Sequence, residues 1–262
     1  MDPPEAPLAG RPEQPEQPEP SERPGRPEEL EMPDAASWAM QLAVRAERAH
    51  PPAHRAVCAA AAMAVARVLT EPDERWQEAV RRWEAGPVRK VTRRARGVRW
   101  TAVQRLPGVT VEWAGAEVRA FVPAPVTRVP PELARLQVAG LDLPDESGDA
   151  GDSGKSSETP PPMPPYAAIA LNPAVRMSTG KAAAQCGHVA HLLVRQAAEP
   201  DRSAWIAAGA RVHLVRVAGG EAWARAVAGA AVTVRDAGFT EVPAGTMTAV
   251  GRIVRAAPRP RA

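Results

Sequence analysis

Two stretches of this chain can be laid over one another in register, and this constrains its architecture more than any local pattern. With an offset of 128, Trp38-Ala-Met-Gln-Leu-Ala43 falls on Tyr166-Ala-Ala-Ile-Ala-Leu171, Cys58 on Cys186 and Arg67 on Arg195. With an offset of 123, Gly86 falls on Gly209, Arg93 on Arg216, Gly97 on Gly220 and Trp100 on Trp223. The second offset also lays Val109-Thr110-Val111 on Val232-Thr233-Val234 and Ala114-Gly115 on Ala237-Gly238. Self-similarity at a constant offset is the mark of a repeated structural unit. The five-residue change of offset falls between residues 71 and 82, where a loop can absorb an insertion.

Each copy reads as strand, helix, strand, helix, strand, strand, the alternation of a small α/β sandwich. In the second copy these are Tyr166 to Leu171, Ser178 to Gln196, Arg211 to Val217, Glu221 to Val227, Ala231 to Arg235 and Thr248 to Val254. Gly209 ends the segment after the first helix, and Gly219-Gly220 turns the chain into the second. Trp100 and Trp223, matched at the start of the second helix, read as core anchors.

The fraction available for folding is smaller than the 262 residues suggest. Residues 1–34 repeat Pro-Glu and Pro-Glu-Gln and have little apolar surface to offset chain entropy, so they read as a disordered acidic arm. The segment 143–165, rich in Asp, Ser, Gly and Pro, reads as a linker. Two blocks remain, a first domain at 35–142 and a second at 166–255, with a short basic tail at 256–262. Charge divides with them: net −7 in the arm and −4 in the linker, against +7 in residues 35–142 and +7 in residues 166–262. Basic blocks between acidic tethers point to a polyanionic partner, with RNA ahead of a membrane because no long apolar or amphipathic segment is present. The competing reading is a basic surface that serves solubility.

Cys58 and Cys186 lie in Ala-rich helical runs outside any metal-ligand spacing and read as small buried hydrophobes. The N-terminus lacks the basic-then-apolar order of an export signal, which points to a cytoplasmic protein.

Function is concentrated in the run Met177-Ser-Thr-Gly-Lys-Ala-Ala-Ala-Gln-Cys-Gly-His188, which opens the long helix of the second copy. Spacings of four and three stack Lys181, Gln185 and His188 on one stripe, while Ala182, Cys186, Val189 and Leu193 form a separate apolar face. Ser178 is a good N-cap, so Lys181 enters the first turn, where free N–H groups and the helix dipole favour an anion. The chain carries 30 Arg but only three Lys, at 90, 155 and 181, so an ammonium here stands out. A phosphate-binding P-loop is rejected, because Val175 takes the place of its first Gly and Ala182 that of its Ser or Thr.

The repeat supplies an internal control. In the first copy Ala53 stands for Lys181, Val57 for Gln185, Ala60 for His188 and Trp113 for Asp236, while Thr240 falls in a gap between Ala116 and Glu117. A framework need would have been felt in both copies, so these polar groups read as site residues. The plainer alternatives are an exposed helix lysine at 181, a turn-former at Asp236 and a hydrogen-bonded structural histidine at 188. His191 and His213, among apolar neighbours, read as structural.

The second cluster, Val234-Arg-Asp-Ala-Gly-Phe-Thr-Glu-Val-Pro-Ala-Gly-Thr-Met-Thr248, leaves a strand, turns at Ala237-Gly238 and re-enters a strand after Gly245, with Asp236 at the strand end. With the Met177 to His188 run, it resembles the peptidyl-tRNA hydrolase family of the archaeal and eukaryotic type over Tyr166 to Val254. The resemblance implies a compact α/β/α domain with a mixed four-stranded sheet, and with the repeat the expectation is two tandem α/β/α domains, the first a degenerate copy. It implies hydrolysis of the ester that joins a peptide to the terminal ribose of tRNA, with no cofactor and no metal. By the same resemblance Lys181, Asp236 and Thr240 would carry catalysis, and Gln185, His188, Thr246 and Thr248 would bind substrate. Such a reaction needs a positioned water, a base or orienter for it, and donors for the oxyanion.

Two positions depart from the family pattern: Phe239 stands where a basic residue is usual, and Val250-Gly251-Arg252 where a Gly-Pro pair is usual. The family is commonly dimeric. The expectation here is a monomer in which the first copy takes the second subunit's place, with Arg89, Lys90, Arg93, Arg94, Arg96 and Arg99 offered to tRNA phosphates. The alternatives of another class are a non-catalytic module that binds the tRNA end and a scaffold unrelated to RNA.

Overall fold

A helix that is apolar all round is buried on every side, and this chain achieves that by pairing two Ala-rich helices. The computed structural model describes residues 37–145 and 160–255. The acidic arm, the centre of the linker and the basic tail lie outside the described residues.

The first half runs β1 (Trp38–Arg45), α1 (His54–Thr70), α2 (Glu74–Glu84), β2 (Lys90–Ala95), α3 (Val98–Val103), β3 (Gly108–Trp113), β4 (Ala116–Phe121), β5 (Ala124–Pro125) and α4 (Pro131–Ala134). The second runs β6 (Tyr166–Leu171), α5 (Thr179–Gln196), α6 (Asp201–Ala207), β7 (Val212–Val215), α7 (Gly219–Ala228), β8 (Val232–Arg235) and β9 (Met247–Val254). The first sheet has the order β2-β1-β4-β3 and the second β7-β6-β9-β8. In both, the first two strands of the half pair parallel and the other pairings are antiparallel. The register agrees as well, since Met40 faces Lys90 in one sheet as Ala168 faces His213 in the other, positions related by the offsets 128 and 123. The protein is thus two tandem α/β halves of the same connectivity.

Three local expectations differ from what is found. The two-residue β5 pairs with β1 and makes the first sheet five-stranded. The helices α2 and α6 were absent from the element pattern, yet they carry the tryptophans that anchor each half. Trp83 and Trp205 are both fully buried, and each donates its indole N–H to a strand-entry carbonyl, Trp83 to Arg89 at 3.1 Å and Trp205 to Arg211 at 2.8 Å. Trp100 is buried, but Trp223 is only half-buried and is not a core anchor. The reason is coverage: Trp100 packs with Leu133 and Leu136 in and after α4, and the described residues of the second half include no such segment.

The centre of the molecule is the pair α1 and α5. Each rests on its own sheet and also touches the parallel edge strand of the other sheet, α1 on β7 and α5 on β2. Of the 17 residues of α1, 13 are buried, and of the 18 of α5, 13. Small side chains make this possible. A Cβ at Gly187 would lie 3.1 Å from Val65 Cγ2 and 3.2 Å from Lys90 Cδ, so the first half sits directly against α5. Cys58 and Cys186 meet in this contact, and burial pushes the Cys58 thiol well up. Gly251 performs the same service on the sheet side, where a Cβ would come within 2.3 Å of Val189 Cγ1. Among the described residues no helix is long and apolar enough to cross a membrane.

Candidate active site

The start of α5 is built as a latch. Ser178 caps the helix by accepting from the Lys181 N–H at 3.2 Å, while its own N–H and hydroxyl donate to the Glu241 carboxylate at 2.7 Å each. Glu241 belongs to the loop between β8 and β9, so the cap ties that loop to the helix. Within the loop the Asp236 N–H donates to the Thr246 carbonyl at 2.9 Å, and the Gly245 N–H donates to the Asp236 carbonyl at 2.8 Å. Arg235 donates to the Gly245 carbonyl at 2.8 Å. Gly238 has φ +83°, and a Cβ there would meet Ala244 at 2.8 Å, so the turn requires glycine twice over.

The latch brings the distant side chains together. Lys181 Nζ lies 2.5 Å from Asp236 Oδ2 and donates to Thr240 Oγ1 at 2.9 Å. Gln185 Nε2 donates to the same Asp236 oxygen at 2.7 Å, and the Gly238 N–H donates to the other at 2.8 Å. Behind them the fully buried Thr248 donates to Gln185 Oε1 at 2.8 Å. Asp236 is only 6% exposed, so its desolvation is offset by three donors rather than by water. Thr240 accepts from Lys181, which leaves its own O–H free to donate elsewhere.

These groups sit at the foot of a cleft of about 700 Å³. One wall is α5 and the β8–β9 loop; the other comes from the first half, through residues 88–92 and 138–140. Lys181, Asp236, Thr240, Gln185 and His188 all line it. Thr246 and Thr248, the other two residues expected to bind substrate, are not among its lining residues. Thr246 serves through its backbone, and Thr248 is sealed behind Gln185 because β9 is a central strand of its sheet.

His188 Nδ1 lies 3.1 Å from Lys90 Nζ, and that amino group sits 4.6 Å above the Trp83 ring. Burial pushes Lys90 well below its ordinary range, against the pull of Glu84. It does the same to His188, helped by Lys90, His191 and Lys181. His191 lines the cleft as well as packing structurally: its Nε2 is 2.7 Å from Glu84 Oε1, and burial, then Lys90, lowers it to about 4. Arg195 donates to the same Glu84 oxygen at 2.7 Å. At the mouth Phe239 is 70% exposed, with the Arg89 guanidinium 5.1 Å from its ring centre. A cation therefore stands next to the position where the family pattern would have placed one, but it comes from the other half.

The cleft wall of the first half was only partly visible in the sequence. Of the basic run, Arg89 and Lys90 reach the cleft. Arg93 bonds Gln41 and the Leu136 carbonyl, Arg94 bonds Gln137, and Arg99 bonds the Arg135 carbonyl. The scarcity of lysine was the one available signal for Lys90. No signal marked Glu84 or Trp83, whose contacts with His191 depend on how the halves pack, or Glu241, whose contact with Ser178 depends on how the β8–β9 loop folds back onto α5. Among the described residues no group of three or more His, Cys, Asp or Glu could hold a metal ion.

Fold and cleft together define a small α/β protein whose polar cluster joins a helix N-terminus to a strand end. Residues 167–255 match the family model described as Peptidyl-tRNA hydrolase PTH2, so the second half resembles that family along its whole length, as its two motifs indicated. No curated protein matches the chain.

Proposed function

We propose that the protein hydrolyses the ester of peptidyl-tRNA in this cleft, releasing peptide and free tRNA. The observation that carries the reading is the convergence of Lys181, Asp236 and Thr240 within one hydrogen-bonded cluster, in the half that matches the family. Asp236 orients or deprotonates the attacking water. Lys181, in the first turn of α5, stabilises the oxyanion or a neighbouring phosphate together with the helix N-terminus. The Thr240 hydroxyl donates to the substrate. Gln185, held by Thr248, keeps the Asp236 carboxylate aimed. The basic surfaces hold the tRNA, so affinity falls steeply as salt rises.

The first half is, on this reading, a degenerate copy that occupies the place of a second subunit. Matched strand order, matched register and the α1–α5 pair support it. Such a chain is a monomer in solution; a stable dimer through the second half would overturn that part of the proposal.

Incubating the full chain with peptidyl-tRNA, beside Lys181→Ala and Asp236→Asn, tests the activity. Release of peptide by the native chain, lost in both variants, is the expected result. A folded chain that binds tRNA without releasing peptide would be a tRNA-end-binding module, and variants as active as the native chain would discard the assigned roles.

A further inference from the structure

The described lysines, Lys90 and Lys181, lie 91 positions apart, and both line the same cleft. Lys181 is accounted for by its contacts with Asp236 and Thr240. Lys90 is not. It opens β2 in the half that lacks the polar cluster, and its stem fills the space left by Gly187. Its amino group is buried, yet among the described residues no carboxylate is bonded to it: the nearby Glu84 is taken by His191 and Arg195. A buried amine without an ion pair is costly, and a methionine would fill the same volume over Trp83 at lower cost. Such a group is kept where it does something.

What it touches is His188. Lys90 Nζ lies 3.1 Å from Nδ1, and among the described residues the other ring nitrogen makes no hydrogen bond, although the side chain lines the cleft. Burial, with Lys90, His191 and Lys181 around it, holds this imidazole well below its ordinary range, so the ring is neutral and must be one of two tautomers. An imidazole nitrogen that accepts a hydrogen bond carries no proton, and the proton then resides on the other.

We propose that Lys90 is a positioning residue for the cleft of the second half: by donating to His188 Nδ1 it holds the ring as the Nε2–H tautomer, which offers a fixed N–H donor to an oxygen of the substrate. The donor role rests on the hydrolase reading; the tautomer does not. The first half thereby completes the site rather than merely covering it. An arginine could not replace the lysine, because its planar fork of five donors has neither the room beside Gly187 nor the acceptors.

The test uses the full chain. Nitrogen-15 spectra of the histidine rings, with His188 identified by its loss in His188→Gln, should show Nε2 protonated in the native chain near pH 7.5. In Lys90→Met the ring should pass to the Nδ1–H form or to a mixture of both. With peptidyl-tRNA the same variant should lose roughly 10- to 100-fold in kcat with KM little changed, less than the loss of an oxyanion donor outright, and Lys90→Arg should not restore it. A native ring protonated on Nδ1 overturns the proposal, whether or not the variants fold. So does a Lys90→Met protein with an unaltered tautomer and unaltered kcat. If the native chain releases no peptide, the hydrolase reading falls, while the ring spectra still decide what Lys90 does to His188.

Discussion

The helices α1 and α5 do the same structural work with opposite interiors. Both are long, mostly buried and central, and both rest on sheets of the same order. Yet every buried residue of α1 is apolar, whereas α5 buries Thr179, Gln185 and His191. Where Asp236 takes three donors, its counterpart by offset, Trp113, packs half-buried against the core. Where Ser178 caps α5, Ala53 precedes α1 without a side-chain cap. The connectivity needs none of these polar groups. A buried polar cluster that the other half does without is a local cost in stability, retained in the half whose motifs match the hydrolase family.

The sharpest way to break this contrast is Asp236→Asn. If the polar cluster serves chemistry, peptide release should fall by about 10²- to 10⁴-fold with the melting temperature nearly unchanged. A collapse of the fold with activity lost only in proportion would make the cluster framework.

Next in size are two packing changes. Gln185→Val copies the first half's Val57 but leaves Asp236 and Thr248 short of a partner, and should cost about 1–3 kcal/mol in denaturant unfolding. Gly251→Ala copies the first half's Ala120, since Ala120 faces Val109 as Gly251 faces Val232. Its methyl strikes Val189 Cγ1, a destabilisation of about 1–3 kcal/mol that Val189→Ala, the residue at the matching Ala61, should relieve. No rescue would mean that the halves solve this contact differently.

A pH titration separates the halves more gently. His188 and His191 are held below their ordinary range, His191 at about 4. Between that value and the unfolded value of about 6.5 the unfolded chain binds more protons, so stability is full above pH 6.5 and falls as the solution is acidified toward 4. The melting temperature should drop by several degrees over this window, and His191→Gln should flatten the slope. The smallest effect lies in the caps. Ser178→Ala should cost about 1 kcal/mol, and Ala53→Ser should gain a fraction of that in α1.

Much of the site was legible because two signals agree. Helical spacing put Lys181, Gln185 and His188 on one stripe, and the turn chemistry of Ala237-Gly238 put Asp236 at a strand end. The helix α2 escaped because Glu74-Arg-Trp-Gln-Glu-Ala-Val-Arg-Arg-Trp-Glu84 is mostly charged and falls where the two offsets change. Its Trp83 matches Trp205 at an offset of 122, one away from the register that aligns the later strands. That Thr248 lies behind Gln185 and Thr246 bonds through its backbone was not legible, because a motif names neighbours along a strand without saying which face is sealed.

The amino-acid pattern on its own determined two α/β halves of one connectivity, the polar stripe of α5 and the strand-end carboxylate, because helix period, strand alternation and glycine turns are local and are written within a few residues. Only the tertiary structure decided that the first half supplies a wall of the cleft, that Lys90 meets His188 and that Arg89 stands over Phe239. Those contacts arise from two Ala- and Gly-rich helices packing closely enough to bring β2 onto α5, and how two buried faces dock is a property of their combined shape rather than of either stretch of chain.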